Sequence, residues 1–316
     1  MTDVALLLPS LSRCRAIAGI ADGVLARWLA RGDMRENAAA GSEAVWRGVF
    51  DWPGSDWPVA ALTREADRAD AGSAHWLRAD PAHVRADMTT ARMLACGALG
   101  LSADETERIA RDLKPLFGDS GFLFEALTPE RWTLRALAGS ELPAGADPDD
   151  VLGDDLKLHL PAGAAGRRWR MLFNEAQVLL HNHPVNAERE RRGAVSVNSL
   201  WFWGGGALPT RVTSAYGRLL GGDDALRILA KIAGLVCAAR TTDALGEAMN
   251  AGEGAIVDLG ALRDASLESD WLVPIDAALR HGRIARIDLV FASGERITVR
   301  RAHRWRVWRR VDALTP

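Results

Sequence analysis

The run Val4 to Leu8, five consecutive apolar residues halted by Pro9, constrains this chain more than any other segment. A strand with one wet face would alternate apolar and polar residues. An unbroken apolar run reads instead as a strand buried on both faces of a parallel sheet. Helical spacing follows over Ile17 to Trp28, where Ile17, Ile20, Val24, Leu25 and Trp28 fall on one face. A strand of this kind followed by a helix gives the chain an α/β character from its start.

The same two periods, read onward, give an expected element order. Gly32 to Gly41 reads as loop, and Trp46 to Trp57, with three tryptophans and two prolines, as an ordered loop. Pro58 to Asp70 has helical spacing, His75 to Asp80 starts a new unit whose turn is fixed by Pro81, and Asp87 to Leu99 reads as an apolar helix. Ser102 with Glu105 forms a capping box that starts a helix running to Leu116. Arg131 to Leu137 reads as a strand, Pro143 to Asp155 as turn-rich chain, and Trp169 to Asn182 as a helix with Trp169, Leu172, Phe173, Ala176, Leu179 and Leu180 inward. Ser199 to Trp203 is a strand expected to stop at Gly204, Gly205 and Gly206. Helix over Ala225 to Cys237, strand over Gly254 to Leu259 and helix over Ser266 to Arg280, broken or started near Pro274, follow. A hairpin of Ile284 to Ala292 and Glu295 to Arg300 turns at Ser293-Gly294.

Composition excludes several functions. Thirty-nine basic and forty-one acidic residues leave a net charge of -2, too small a field to gather nucleic acid or an anionic membrane, so neither is an expected partner. No apolar span is long enough to cross a bilayer, and the start lacks the basic and long apolar segments of a secretory signal, so a cytoplasmic location is expected. Cys14, Cys96 and Cys237 are odd in number and set among apolar residues, which reads as buried free thiols.

The most distinctive stretch runs from His181 to Gly206, with His181-Asn-His-Pro-Val-Asn186, Arg189 and then Asn198-Ser-Leu-Trp-Phe-Trp-Gly204-Gly205-Gly206. It resembles the segment of archaeal-type, cofactor-independent phosphoglycerate mutases in which a helix ends in His-Pro-x-Asn-x-x-Arg and leads to Asn-x-x-Trp-x-Trp-Gly-x-Gly. With Phe117-Gly-Asp-Ser-Gly-Phe122, Thr128-Pro-Glu-Arg-Trp132 and His75-Trp-Leu-Arg-Ala-Asp-Pro81, it is similar to bacterial regulatory proteins of the RpfE type, an offshoot of those mutases. The resemblance covers about Trp57 to Leu235. It implies an alkaline-phosphatase-like α/β core sheet flanked by helices, formed by residues 1–71 and 199–316, with an inserted α+β subdomain at 72–198. It further implies that Arg78, Asn186, Arg189, Asn198, Gly204 and Gly205 face a small phosphorylated or carboxylated metabolite.

The departures bear on activity. Two-metal phosphoryl transfer needs carboxylates and imidazoles at several strand ends, plus a hydroxyl nucleophile. The first strand here is followed by Pro9, Ser10, Leu11 and Ser12, with no carboxylate, and after His183 the only histidines are His281 and His303. The expectation is therefore a regulatory or ligand-sensing protein without catalysis, with no metal ligands and no cofactor. Divalent metal ions belong only to the alternative, an active mutase or phosphatase with a rearranged site.

Each motif also has a plainer reading. His181 and His183, two residues apart, cannot share a metal on one helix face, and a helix-terminus role is favoured. Gly204 to Gly206 lacks the Lys-Ser/Thr of a P-loop, so a packing turn outweighs an anion cradle. Asp119 and Ser120 fit a tight turn. Arg78, Arg85, Arg131, Arg135 and Arg189 offer bidentate geometry to an anion, against the default of solvated arginines. The tail, with Arg300, Arg301, Arg304, Arg306, Arg309 and Arg310 around Trp305 and Trp308, is a basic, aromatic patch. It either meets a partner or is a strand with its tryptophans turned inward. A protein partner could dock on this tail or on the Trp46 to Trp57 loop.

Overall fold

The structure, a computed structural model, describes residues 2–17, 23–35, 39–54, 56–88, 90–137, 140–163, 165–262 and 264–309. The chain divides into two compact units, one of Met1–Pro53 with Pro209–Pro316 and one of Gly54–Leu208. The first unit opens with β1 (Thr2–Leu8), α1 (Leu11–Ala16), α2 (Val24–Arg31), β2 (Asp33–Met34) and α3 (Ser42–Arg47). The second holds α4 (Val59–Arg68), β3 (His75–Ala86), β4 (Ala91–Cys96), α5 (Ala103–Asp119), β5 (Phe122–Ala126) and β6 (Trp132–Ala136). It continues with α6 (Pro148–Val151), α7 (Ala165–His181), α8 (Pro184–Arg191) and β7 (Ser199–Ala207). The first unit resumes with β8 (Arg218–Leu220), α9 (Asp224–Ile232), β9 (Val236–Ala238), α10 (Thr242–Ala251) and β10 (Ala255–Asp258). A π-helical turn (Leu267–Leu272), α11 (Val273–Arg280), β11 (Ile284–Phe291), β12 (Arg296–Arg300) and a 3₁₀ turn (Arg301–Trp305) complete it.

In the first unit the apolar run Val4 to Leu8 lies at the centre of a seven-stranded sheet ordered β2-β12-β11-β1-β10-β8-β9. β1 pairs in parallel with β11 on one side and β10 on the other, and Val4, Ala5 and Leu6 have no exposed surface. β10, β8 and β9 extend the parallel part. β12 and β2 add an antiparallel edge, so the sheet is mixed. Leu25 and Trp28 of α2, Leu245 and Ala248 of α10, and Ile275 and Leu279 of α11 pack with Leu6, Val257 and Ile287 in one core. The start of α2 is capped from afar by the Glu268 carboxylate, which accepts the Val24 N–H.

In the second unit β3 is the axis of a five-stranded sheet, with β4 and β6 on one edge and β7 on the other, and β5 beyond β6. Pro81 sits inside this long strand. Its carbonyl accepts the Gly97 N–H at 2.8 Å, so its nitrogen faces the β4/β6 edge, between the last β6 pair at Arg78 and the first β4 pair at Ala82. The missing N–H of proline therefore removes no ladder bond there. Ser102 and Glu105 form the expected capping box. Phe117, Phe122, Phe124, Trp132, Trp169 and Phe202 meet in edge-on, tilted and stacked pairs with centroids 5.0–6.0 Å apart.

Several sequence expectations give way. The boundaries read at 72 and 198 fall inside the second unit, because α4 and all of β7 pack with β3. Asp87 to Leu99 is a hairpin return, β4, not a helix; the Asp87 N–H donates to the Thr90 carbonyl at 2.8 Å, and pairing with β3 overrides the helical spacing. The helix expected to reach Cys237 ends at Ile232, turns at Gly234 (φ 80°) and leaves Cys237 on β9. Cys14 is buried, whereas Cys96 and Cys237 are half-buried. Trp46 closes α3 instead of lying in a loop. Ile20 and part of 32–41 lie outside the described residues. Among the described residues no helix is long and apolar enough to cross a membrane.

β7 runs through the glycines instead of stopping at them. A Cβ on Gly204 (φ 64°) would stand 2.9 Å from the Val59 Cβ, so this glycine both bends the strand and admits α4. We expect Gly204→Ala to lower stability by about 1–3 kcal/mol, through left-handed strain and overpacking, as read from the urea midpoint at unchanged m-value.

Candidate functional site

The six residues expected to face a ligand are used inside the second unit. Arg78 of β3 donates Nε to Asp80 at 2.9 Å and Nη1 to Thr63 at 3.3 Å, and its guanidinium lies 5.3 Å from the Trp203 ring centroid. Asp80 accepts in addition the Trp203 Nε1–H at 2.7 Å and the Trp132 backbone N–H at 3.2 Å. Burial pushes the Asp80 carboxyl up, against the pull of Arg78, Trp203 and Trp132. This network joins β3, β6, β7 and α4 in the interval where Pro81 leaves the ladder open.

Arg189 is 1% exposed and extends from α8 to the Leu99 carbonyl at 2.6 Å, the Val195 carbonyl at 2.7 Å and Glu105 at 2.9 Å. Asn186 donates to the Leu180 and Val197 carbonyls and accepts the Val197 N–H. Asn198 pairs reciprocally with the Val84 backbone and continues the β3–β7 ladder with a side chain. A Cβ on Gly205 would stand 3.2 Å from Leu77 and Leu142, which makes the glycine run a packing device. His183 caps α8 and bonds Asp112 at 3.1 Å, while His181 is exposed at the end of α7. Arg78, Asn186, Arg189 and Asn198 therefore hold the second unit together, and the expectation that they bind a metabolite is not kept. Burial is the reason for Arg78, Asn186 and Arg189, since a guanidinium or amide this deep must be satisfied by protein, while the half-buried Asn198 is spent on the Val84 backbone.

Where an α/β sheet is open, ligands gather outside the carboxyl ends of its parallel strands. In the first unit these ends present Ser10 after β1, Gly221, Gly222 and Asp223 after β8, Arg240 after β9, and Asp258 at the end of β10. Asp258 accepts N–H bonds from Gly260, at 3.0 Å, and from Gly222, and its backbone carbonyl takes Arg240 Nη1 at 2.9 Å. Burial pushes its carboxyl up, opposed by Gly260, Arg240 and Gly222. A Cβ on Gly221 (φ 89°) would come within 3.3 Å of Arg240. Asp223 is exposed, and its carboxylate caps α9 through the Leu226 N–H at 2.8 Å. Ser10 caps α1.

This edge does not fit a pair of divalent ions. Among the described residues it offers Asp223 and Asp258, each engaged by backbone amides, and Glu295 in the turn after β11, bonded by the Ser293 hydroxyl, beside a guanidinium. The two imidazoles of the unit are at the other edge: His281 follows α11 just before β11 begins, and His303 follows β12, which runs antiparallel and ends opposite the start of β11. Among the described residues no three His, Cys, Asp or Glu side chains group as a metal site.

The charges predict measurable stability effects. Arg189→Ala takes one of two arginines from the buried Glu105, which keeps Arg192 and the Ser102 N–H, and leaves the Leu99, Gly100 and Val195 carbonyls without this donor; we expect a loss of roughly 2–4 kcal/mol by denaturant unfolding, where a solvated arginine would change stability by less than about 0.5 kcal/mol. Asp258 has a raised folded-state pKa, so ionisation costs stability as pH rises from the unfolded value towards the folded one. Asp258→Asn is accordingly expected to melt higher than the parent at pH 7, with the difference closing as pH falls to about 4.

No protein-family model matches the chain. A stretch of 62 residues is 40% identical to a probable 2,3-bisphosphoglycerate-independent phosphoglycerate mutase of Geobacter sulfurreducens, covering 20% of this chain and 16% of that one. A stretch of 63 residues is 35% identical to the 2,3-bisphosphoglycerate-independent phosphoglycerate mutase of Methanothrix thermoacetophila, with the same coverage. Each match thus spans about a sixth of the curated relative's length. Over its length the structure overlaps the cofactor-independent phosphoglycerate mutase of Thermoplasma acidophilum at 16% identity and TM-score 0.39, covering 95% of this chain and 90% of that one. It overlaps the PH0037 protein of Pyrococcus horikoshii at 10% identity and TM-score 0.41, covering 94% and 86%. Superpositions this loose carry no argument about chemistry. It is the aligned segment that relates part of this chain to the cofactor-independent phosphoglycerate mutases.

Proposed function

We propose that this chain is a phosphoglycerate-mutase-related regulatory protein of the RpfE type, built on a degenerate alkaline-phosphatase-like core, that senses a small phosphorylated or carboxylated metabolite and does not catalyse the mutase reaction. One observation supports the loss of catalysis most strongly. Among the described residues, the carboxyl edge of the parallel sheet offers Ser10, Arg240, two amide-bound carboxylates, Asp223 and Asp258, and Glu295, which is held by the Ser293 hydroxyl, while His281 and His303 belong to the opposite edge. A cation pair there would meet a guanidinium and too few donors.

The partner surface of such a regulator is better sought at the tail than in the tryptophan-rich segment. Trp46 and Trp52 are buried, and the Trp57 ring lies 5.5 Å from that of Trp203. Trp305 and Trp308 are 67% and 73% exposed, so of the two readings of the tail the one with its tryptophans packed inward does not occur. Arg310 lies outside the described residues.

Purified protein incubated with manganese, magnesium or zinc and then desalted should carry well under one metal ion per chain by elemental analysis. It should also leave 3-phosphoglycerate unconverted to 2-phosphoglycerate. Turnover with stoichiometric metal would overturn the reading in favour of an active mutase with a rearranged site.

A further inference from the structure

Away from the carboxyl edge, the first unit has a second concentration of charge. Arg27 and Arg31 of α2, Arg280 of α11, and Arg300, Arg301 and Arg304 around the 3₁₀ turn line one cleft of about 50 Å³, with Trp28, Leu279 and Val299 in its walls. Two carboxylates serve this group and both are occupied. Asp276 takes the Trp28 Nε1–H at 2.9 Å and ion-pairs with Arg27 and Arg280. Asp33 pairs with Arg300 at 3.3 Å, with His303 at 3.2 Å and with Arg306.

Among the described residues, Arg31, Arg301 and Arg304 have no carboxylate within ion-pair distance. Arg31 spends one N–H on the Arg304 carbonyl at 3.2 Å, and Arg304 lies 4.6 Å over the Trp305 ring. Three guanidiniums without a carboxylate partner thus line one partly apolar cleft, and guanidinium forks match the oxygens of a phosphoryl group. A cleft of this size, open to solvent, has room for a tetrahedral oxyanion.

We propose that this cleft is a phosphate site, taking the terminal phosphoryl dianion of a small phosphorylated metabolite through Arg31, Arg301 and Arg304. It gives the sensing reading its ligand site and rests on that reading only for the metabolite attached to the phosphoryl group. The site is separate from the carboxyl edge of the sheet, and it differs from the second-unit arginines that the sequence pointed to.

Calorimetry on the full chain in phosphate-free buffer tests it, with inorganic phosphate, glycerol 1-phosphate and phosphatidic acid vesicles as separate titrants. Saturable one-to-one binding of inorganic phosphate is expected, weakened at least about tenfold in Arg301→Gln/Arg304→Gln and unchanged in Arg68→Gln, an exposed arginine of the other unit. Circular dichroism checks that the variants fold; should the double variant fail, Arg31→Gln is read in its place. Glycerol 1-phosphate binding at least as well as phosphate assigns a free metabolite, and a preference for vesicles assigns a lipid headgroup. Absent phosphate binding at about 10 mM, or binding that the arginine variants leave within about twofold, overturns the site. So does binding of a single-stranded oligonucleotide alone, lost in Trp305→Ala/Trp308→Ala, which would make the tail a stacking surface. The mutase assay reads the loss of catalysis separately, so the two readings fail independently.

Discussion

The first unit depends on one constraint, the burial of β1 on both faces and along both edges. A strand segment buried as completely as Val4 to Leu8 must find every backbone partner in its neighbours, and in parallel register β10 supplies them from Val4 to Leu7 and β11 from Val4 to Leu8. Parallel pairing in turn requires crossovers, which α9, α10 and α11 provide. From that arrangement follow both edges of the sheet: carboxyl ends that carry Ser10, Asp223, Arg240 and Asp258, and opposite ends that carry His281 and His303.

The second unit is organised by buried charge instead. Asp80 and Glu105 are nearly inaccessible carboxylates, and each is met by an arginine and by backbone or indole N–H groups. Removing either partner leaves a charge without solvent, which is why such groups rarely serve exchangeable ligands. Charge on the first unit's α2 and α11 follows a different pattern. There the guanidiniums outnumber the carboxylates and reach a cleft, which is the condition for binding an anion from solution.

Most of the elements were legible. The capping box at Ser102, the amphipathic α7, the strand at Ala255–Asp258 and the final hairpin follow from side-chain periodicity and turn residues, which act over a few neighbours. Asp87 to Leu99 was misread because its spacing suits either period and only β3 decides between them. The candidate site was less legible than the fold. Arg78 and Arg189 stand out within their sequence motifs, yet the same features that mark a ligand arginine mark a buried structural one. Arg301 was marked only as part of a basic tail, and Arg31, at the opposite end of the chain, carried no local signal that the two would line one cleft.

By itself the sequence determined the α/β character, the unbroken first strand and the lack of a carboxylate after it, since each of these is a property of adjacent residues. Only the tertiary structure decided which arginines are spent and which remain available, and on which edge of the sheet the histidines lie. Those outcomes depend on pairings between residues far apart in sequence, such as Arg189 with Glu105 or β1 with β11, and on whether water is excluded when they meet.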